Sequence, residues 1–158
     1  MGALPVGAVA TDAEIDIQVE VASSSTTQIY GLKHASSGQN WIESGAGSIT
    51  FDNAPANDIS GAFFTSDATG VLTSVSSAPI GVVNFSSTTA LVDFINNDTD
   101  GLITLMVAQA SPLDSFRFAS GETSVGIEPT LELTYIPEPA SVLLLGLGGV
   151  MLLARRRR

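Results

Sequence analysis

The last twenty-two residues constrain this chain more than any other stretch. They read Pro137-Glu138-Pro139-Ala140-Ser141, then an apolar run from Val142 to Ala154, then Arg155, Arg156, Arg157 and Arg158. Ala140 to Ala154 carry no charge and are rich in Leu and Gly; at about 1.5 Å per residue, a helix over these positions spans roughly 22 Å. A hydrocarbon core of about 30 Å exceeds that, but local thinning and arginine stems reaching toward the headgroups close the gap. A core helix would keep a polar face. Here Val142, Leu143, Leu144, Leu145, Leu147, Val150, Met151, Leu152 and Leu153 occupy every face, with glycines between them. Gly146, Gly148 and Gly149 weaken such a helix in water, so burial in lipid is the consistent expectation. Four arginines directly after the run place that end in the cytoplasm, and the body outside.

Pro-Glu-Pro, a short apolar helix and an arginine cluster at the extreme C-terminus resemble the PEP-CTERM sorting signal. That resemblance implies recognition by a membrane-embedded exosortase, which cuts near Pro-Glu-Pro during export in Gram-negative, exopolysaccharide-producing bacteria. Carried over by residue, Pro137, Glu138 and Pro139 form the recognition element and Arg155 to Arg158 the cytoplasmic stop. The chemistry fits. Two prolines hold the segment extended and remove backbone donors, which leaves it accessible to an enzyme cleft just outside the membrane.

Composition narrows the rest of the chain by exclusion. There is no cysteine, so disulfides, thiolate nucleophiles and Cys-ligated metals are ruled out. The only histidine is His34, so any Ser-His-Asp arrangement would have to use it as the base. Before Pro137 there are fifteen acidic residues against Lys33 and Arg117, an excess of thirteen negative charges. Such a surface repels phosphate backbones, and nucleic acid is excluded as a partner. A solvated face that keeps an exported domain soluble accounts for the acidity; the sharper reading is cation binding.

Hydropathy alternates in the body. Ile15, Ile17, Val19 and Val21 share one face and Glu14, Asp16, Gln18 and Glu20 the other, the pattern of a half-buried strand. Further strands are expected at 28–32, 48–51, 71–75, 81–85, 102–108, 115–118 and 130–136, separated by Gly, Asn, Asp, Ser and Pro clusters. One segment differs: Leu91, Phe94 and Ile95 recur at helical spacing behind Ser86, Ser87 and Thr88, which can cap an N-terminus. A short helix over 88–96 is expected to lay those three side chains over an open end of the sheets.

Several short motifs occur in an order similar to that of DNRLRE-type domains. They are Ile29-Tyr30-Gly31-Leu32, Trp41-Ile42-Glu43-Ser44, Ile49-Thr50-Phe51-Asp52-Asn53-Ala54-Pro55, Ala90-Leu91-Val92 to Ile95, and Phe116-Arg117-Phe118-Ala119-Ser120 with Glu122 and Pro129-Thr130-Leu131. The resemblance spans roughly residues 4 to 135 and implies a jelly-roll-like β-sandwich classed with carbohydrate-binding modules. Gly121 departs from the pattern, which has Lys or Arg before the glutamate. Met1 to Ala10 carry no basic residue and only a broken apolar stretch, unlike a secretory signal. Ala3-Leu4-Pro5 resembles the domain interior, which implies that the first strands are missing.

The candidate sites are few. Trp41 is the only tryptophan; it and Tyr30 are candidate glycan contacts, and the competing reading of each is an aromatic turned inward. Asn96, Asp98, Asp100 and Gly101 match the first half of a calcium-loop pattern, with Val107 where a bidentate glutamate belongs. Asp98 and Asp100 are therefore candidate calcium ligands, and the competing reading is a helix-ending turn. No other cofactor is expected. His34 lacks a nucleophile motif and reads as a surface residue. Glu14, Asp16 and Glu20 read as a solvated strand face rather than a glycosidase pair.

The expected organisation is therefore all-β: a jelly-roll-like β-sandwich with one short helix over residues 1–135, a Pro-Glu-Pro element over 136–139, a transmembrane helix over 140–154 and a cytoplasmic arginine cluster over 155–158. The expected function is that of an exported, non-catalytic protein, anchored in the inner membrane with its N-terminus outside and then released to the cell surface or extracellular matrix. Its expected partners are an exosortase-type protease and membrane lipid. The alternative is a module that binds an exopolysaccharide, with or without calcium.

Overall fold

The computed structural model describes residues 8–34, 41–42, 45, 48–50, 52–58, 64–99, 101–111, 116–119 and 126–136. Among these residues seven strands and one helix follow in the order β1 (Val9–Val21), β2 (Thr27–Leu32), β3 (Ala68–Val75), β4 (Gly81–Phe85), α1 (Thr89–Asn96), β5 (Leu105–Gln109), β6 (Arg117–Phe118) and β7 (Thr130–Ile136). One sheet is built on β1, with β4 along one edge and β7 and β6 end to end along the other. The second sheet has the order β3-β2-β5. Every pairing between these strands is antiparallel.

The two sheets share one core, in which Ile15, Ile17 and Val19 of β1 and Val83 and Phe85 of β4 meet Ile29 of β2 and Leu72 of β3. That packing makes the body a two-sheet sandwich. The alternation read between Glu14 and Val21 extends back to Val9, because a bulge at Thr11 resets the phase of β1 so that Ala10 and Ala13 both face inward. One extra residue against β7 turns the later side chains over. A second bulge, opposite the step from Ile29 to Tyr30, leaves both Leu72 and Thr73 buried.

Where β4 stops, side chains continue its pairing. Beyond Ile15 the edge of β1 meets no strand on that side among the described residues, yet Asn96 donates from Nδ2 to the Ala10 carbonyl at 2.9 Å and accepts from the Ala10 N–H at 2.8 Å. Ser87 Oγ accepts from the Ala13 N–H at 3.1 Å. The Asn96 amide thus stands in for one peptide of a neighbouring strand and blunts an otherwise open edge.

The helix forms as its spacing predicts. Thr88 is extended and its Oγ1 accepts from the Leu91 N–H, satisfying one of the donors a helix start leaves open, while the same hydroxyl donates to the Leu72 carbonyl of β3. Leu91, Phe94 and Ile95 are buried in the shared core. Phe94 sets the identity of a residue on β2: a Cβ at Gly31 would lie 2.5 Å from the Phe94 ring. Only glycine lets the far end of that ring come so close to the strand.

Two expected elements are corrected. Residues 48–50 are not a strand, because their backbone groups are used locally: the Ile49 N–H donates to the Ile42 carbonyl, the Thr50 N–H to Asn53 Oδ1, and Asn53 Nδ2 to the Ser48 carbonyl. The asparagine closes a loop that strand pairing would have opened. The strand expected from Leu102 begins only at Leu105. The expected transmembrane helix at 140–154 lies outside the described residues, among which no helix is long and apolar enough to cross a membrane.

Candidate functional site

Strand alternation sorts the three-stranded sheet into two faces. Ile29 and Gly31 of β2 point to the shared core, while Tyr30 and Leu32 point away from it. Leu32 is nonetheless fully buried, in a second cluster with Ala56 and Ala68, against which Phe64 and Met106 pack. Ala56 and Phe64, from the connection between β2 and β3, therefore pack on the outer face. The Tyr30 ring meets Phe64 at 4.8 Å and a 56° tilt, and its hydroxyl donates to Gln28 Oε1 at 3.0 Å. Trp41 joins the same face from its edge: its indole N–H donates to Thr104 Oγ1 at 3.4 Å, and the Thr104 carbonyl accepts from the Leu32 N–H.

The two aromatic candidates are thus brought to one face. Trp41 is 44% exposed, so its indole is not a core anchor. Tyr30 is half-buried and partnered. The exposed indole, hydrogen-bonded to Thr104, presents an apolar ring with a polar edge to solvent.

The calcium-loop candidates separate differently. Asp98 follows α1, its N–H donating to the Ile95 carbonyl, and its Oδ1 lies 3.5 Å from His34 Nδ1. Asp100 lies outside the described residues. Among the described residues, no three acidic or histidine side chains gather as a metal site would require. His34 is less exposed than a surface reading implies. Its ring stacks on Phe94 at 4.8 Å and 17°, and because a carbonyl can only accept, its Nε2–H donates to the Phe94 carbonyl at 3.0 Å. His34 ties the end of β2 to the C-terminal turn of α1. Their separation of sixty residues gave sequence reasoning no signal for this contact.

The outer face of the β1 sheet collects the acidic residues. Asn84 Nδ2 donates to Asp16 Oδ1 at 2.9 Å and to Glu14 Oε2 at 3.2 Å, so one amide bridges two carboxylates. Glu20 pairs with Arg117 at 2.7 Å. Glu132 of β7 stands directly opposite Glu14. This is the solvated face that the alternation predicted.

The last rung of β7 falls on the residue before the tail. Ile136 pairs with Val9, and Pro137 follows with no intervening residue. Pro137, Glu138 and Pro139, the apolar stretch 140–154 and Arg155 to Arg158 all lie outside the described residues. Residues 136–158 match the model of the PEP-CTERM protein-sorting motif, so the chain carries a C-terminal sorting signal that begins on the final residue of a paired strand. No curated protein and no solved structure matches the chain. The resemblance of residues 4–135 to DNRLRE-type domains therefore rests on its short motifs alone.

Proposed function

We propose that this chain is an exported, non-catalytic surface protein whose β-sandwich is carried outward, held at the inner membrane by residues 140–154 and released by an exosortase-type protease acting near Pro137-Glu138-Pro139. Arg155 to Arg158 stay on the cytoplasmic side because moving four guanidinium groups through hydrocarbon is costly. The observation that carries this reading is the sorting motif over residues 136–158, directly continuous with β7. In this reading the single histidine serves packing, stacked on Phe94 and bonded to its carbonyl. The mass of the mature C-terminus in a host that encodes an exosortase tests the proposal. A terminus near Pro139 supports processing. Intact arginines on all of the mature protein would reject it.

A second reading is favoured by the exposed indole of Trp41 over the face that also carries Tyr30: the sandwich binds an exopolysaccharide there. Affinity electrophoresis through polysaccharide gels, with and without calcium, tests this. Retardation that is lost in Trp41→Ala supports the glycan site; equal mobility in every gel rejects it.

A further inference from the structure

At the end of the β1–β7 ribbon three large apolar residues are left in water: Val9 is 54% exposed, Tyr135 42% and Ile136 61%. Val9 and Ile136 are cross-strand partners and so share one face of the ribbon, whereas Tyr135 pairs with Ala10 and lies on the other. With both faces apolar, packing one against the sandwich would leave the other wet. The nearest acidic side chain on either strand is Asp12, set back beyond the bulge and opposite Thr134. Glu14 and Glu132 lie further along still. The ribbon is therefore apolar at its tip and acidic above it.

We propose that Val9, Tyr135 and Ile136 form a foot that seats in the headgroup layer of the membrane holding the tail. This rests on the reading of residues 140–154 as an inserted helix. Three residues lie between Ile136 and Ala140, so the tip stands at most ~14 Å, four Cα steps, from the point where the apolar stretch begins. Each headgroup layer is itself about 5–8 Å deep. The apolar stretch falls roughly 8 Å short of the hydrocarbon thickness, and a short span draws its flanks inward. Connectivity thus brings the tip onto the surface, and its composition suits that place: a tyrosine with an apolar ring and a polar hydroxyl, beside two aliphatic side chains. The acidic body above is repelled by anionic lipid, so the contact is apolar and weakens as anionic lipid is added.

The absence of cysteine allows single labelling positions in the full chain. Val9→Cys, Ile136→Cys, Val82→Cys and Leu147→Cys would each carry a small fluorophore, in phosphatidylcholine nanodiscs holding one copy, with nitroxides at either the headgroup or the acyl-chain end. Val82 is exposed and lies opposite Gln18, about 30 Å along β1 from Val9. The expected result is loss of most emission at positions 9 and 136 with headgroup nitroxides, none at 82, and loss at 147 with deep nitroxides. Partial recovery at 9 and 136 in anionic discs is also expected. Quenching at 147 without quenching at 9 and 136 would overturn the foot and leave the anchor standing. No quenching at 147 would overturn both. Equal quenching at 82 would mean a body lying flat, and quenching at 9 and 136 only in discs with two copies would mean a contact between chains; either outcome rejects the foot.

Discussion

The two flanks of the sandwich are built from similar residues and packed to different depths. On the α1 flank, Phe85, Leu91 and Ile95 are buried to 2% exposure or less, and the helix closes the space between the sheets. On the opposite flank, every residue of β5 is only half-buried, both residues of β6 are exposed, and Leu131 and Leu133 of β7 remain partly in water. A cavity of about 310 Å³ opens there, lined by Ile15, Ile17, Ile29, Leu105, Val107 and Leu131 among others. A capped helix with three apolar residues fills a sandwich end, whereas strands alone leave a gap wherever their side chains face one another without interdigitating.

Truncating one leucine on each flank would break or sharpen this contrast. Leu91→Ala is expected to cost about 4 kcal/mol, near the upper end for a fully enclosed leucine, and Leu131→Ala no more than about 2 kcal/mol, because its side chain already borders empty space. Urea titration of the full chain in mild detergent measures both, and equal losses would erase the distinction. Gly31→Ala comes next, at roughly 2 kcal/mol, since the new methyl drives into the Phe94 ring and the helix must shift. If the α1 flank is the rigid one, Phe94→Leu in the same chain restores most of that loss.

Smaller effects probe the edges. Asn96→Ala removes both hydrogen bonds to Ala10 and is expected to cost about 2 kcal/mol, with faster amide exchange confined to the start of β1. Thr27→Val acts in the opposite direction. The Thr27 side chain is fully buried and its Oγ1 has no hydrogen-bond partner among the described residues, so replacing the hydroxyl with a methyl is expected to raise stability by about 1 kcal/mol. Glu132→Lys, which exchanges a like-charge cross-strand pair with Glu14 for an attractive one, is expected to add about 0.5 kcal/mol, an increment that salt removes.

What could be read from the chain beforehand follows the range of the interactions involved. The alternation of Ile15, Ile17 and Val19, the spacing of Leu91, Phe94 and Ile95, and the cap at Thr88 are local signals, and each produced the expected element. The sorting tail was legible for the same reason, since its three parts lie side by side. Residues 48–50 misled because their apolar content matched a strand while Asn53, a few positions on, captured their backbone. The side-chain bridge from Asn96 to Ala10, the stacking of His34 on Phe94 and the meeting of Trp41 with Thr104 join residues sixty or more positions apart, and no periodicity announces such contacts. The partners of a candidate site residue depend on the same long-range folding, so Asp98 could be proposed as a ligand but not placed beside an imidazole.

The pairing of β7 with β1 also governs how the body answers to traction. A pull on the tail directed along β7 tries to slide that strand past its neighbour, so the rungs from Thr130 to Ile136 resist together instead of parting one after another. Drawn through the tail by an optical trap against a fixed Val82 handle, the body is expected to yield in a single abrupt rupture; a gradual staircase beginning at Ile136 would contradict this. A cell that drags or sheds the protein by its tether thus moves an intact domain, not a strand peeled from its end.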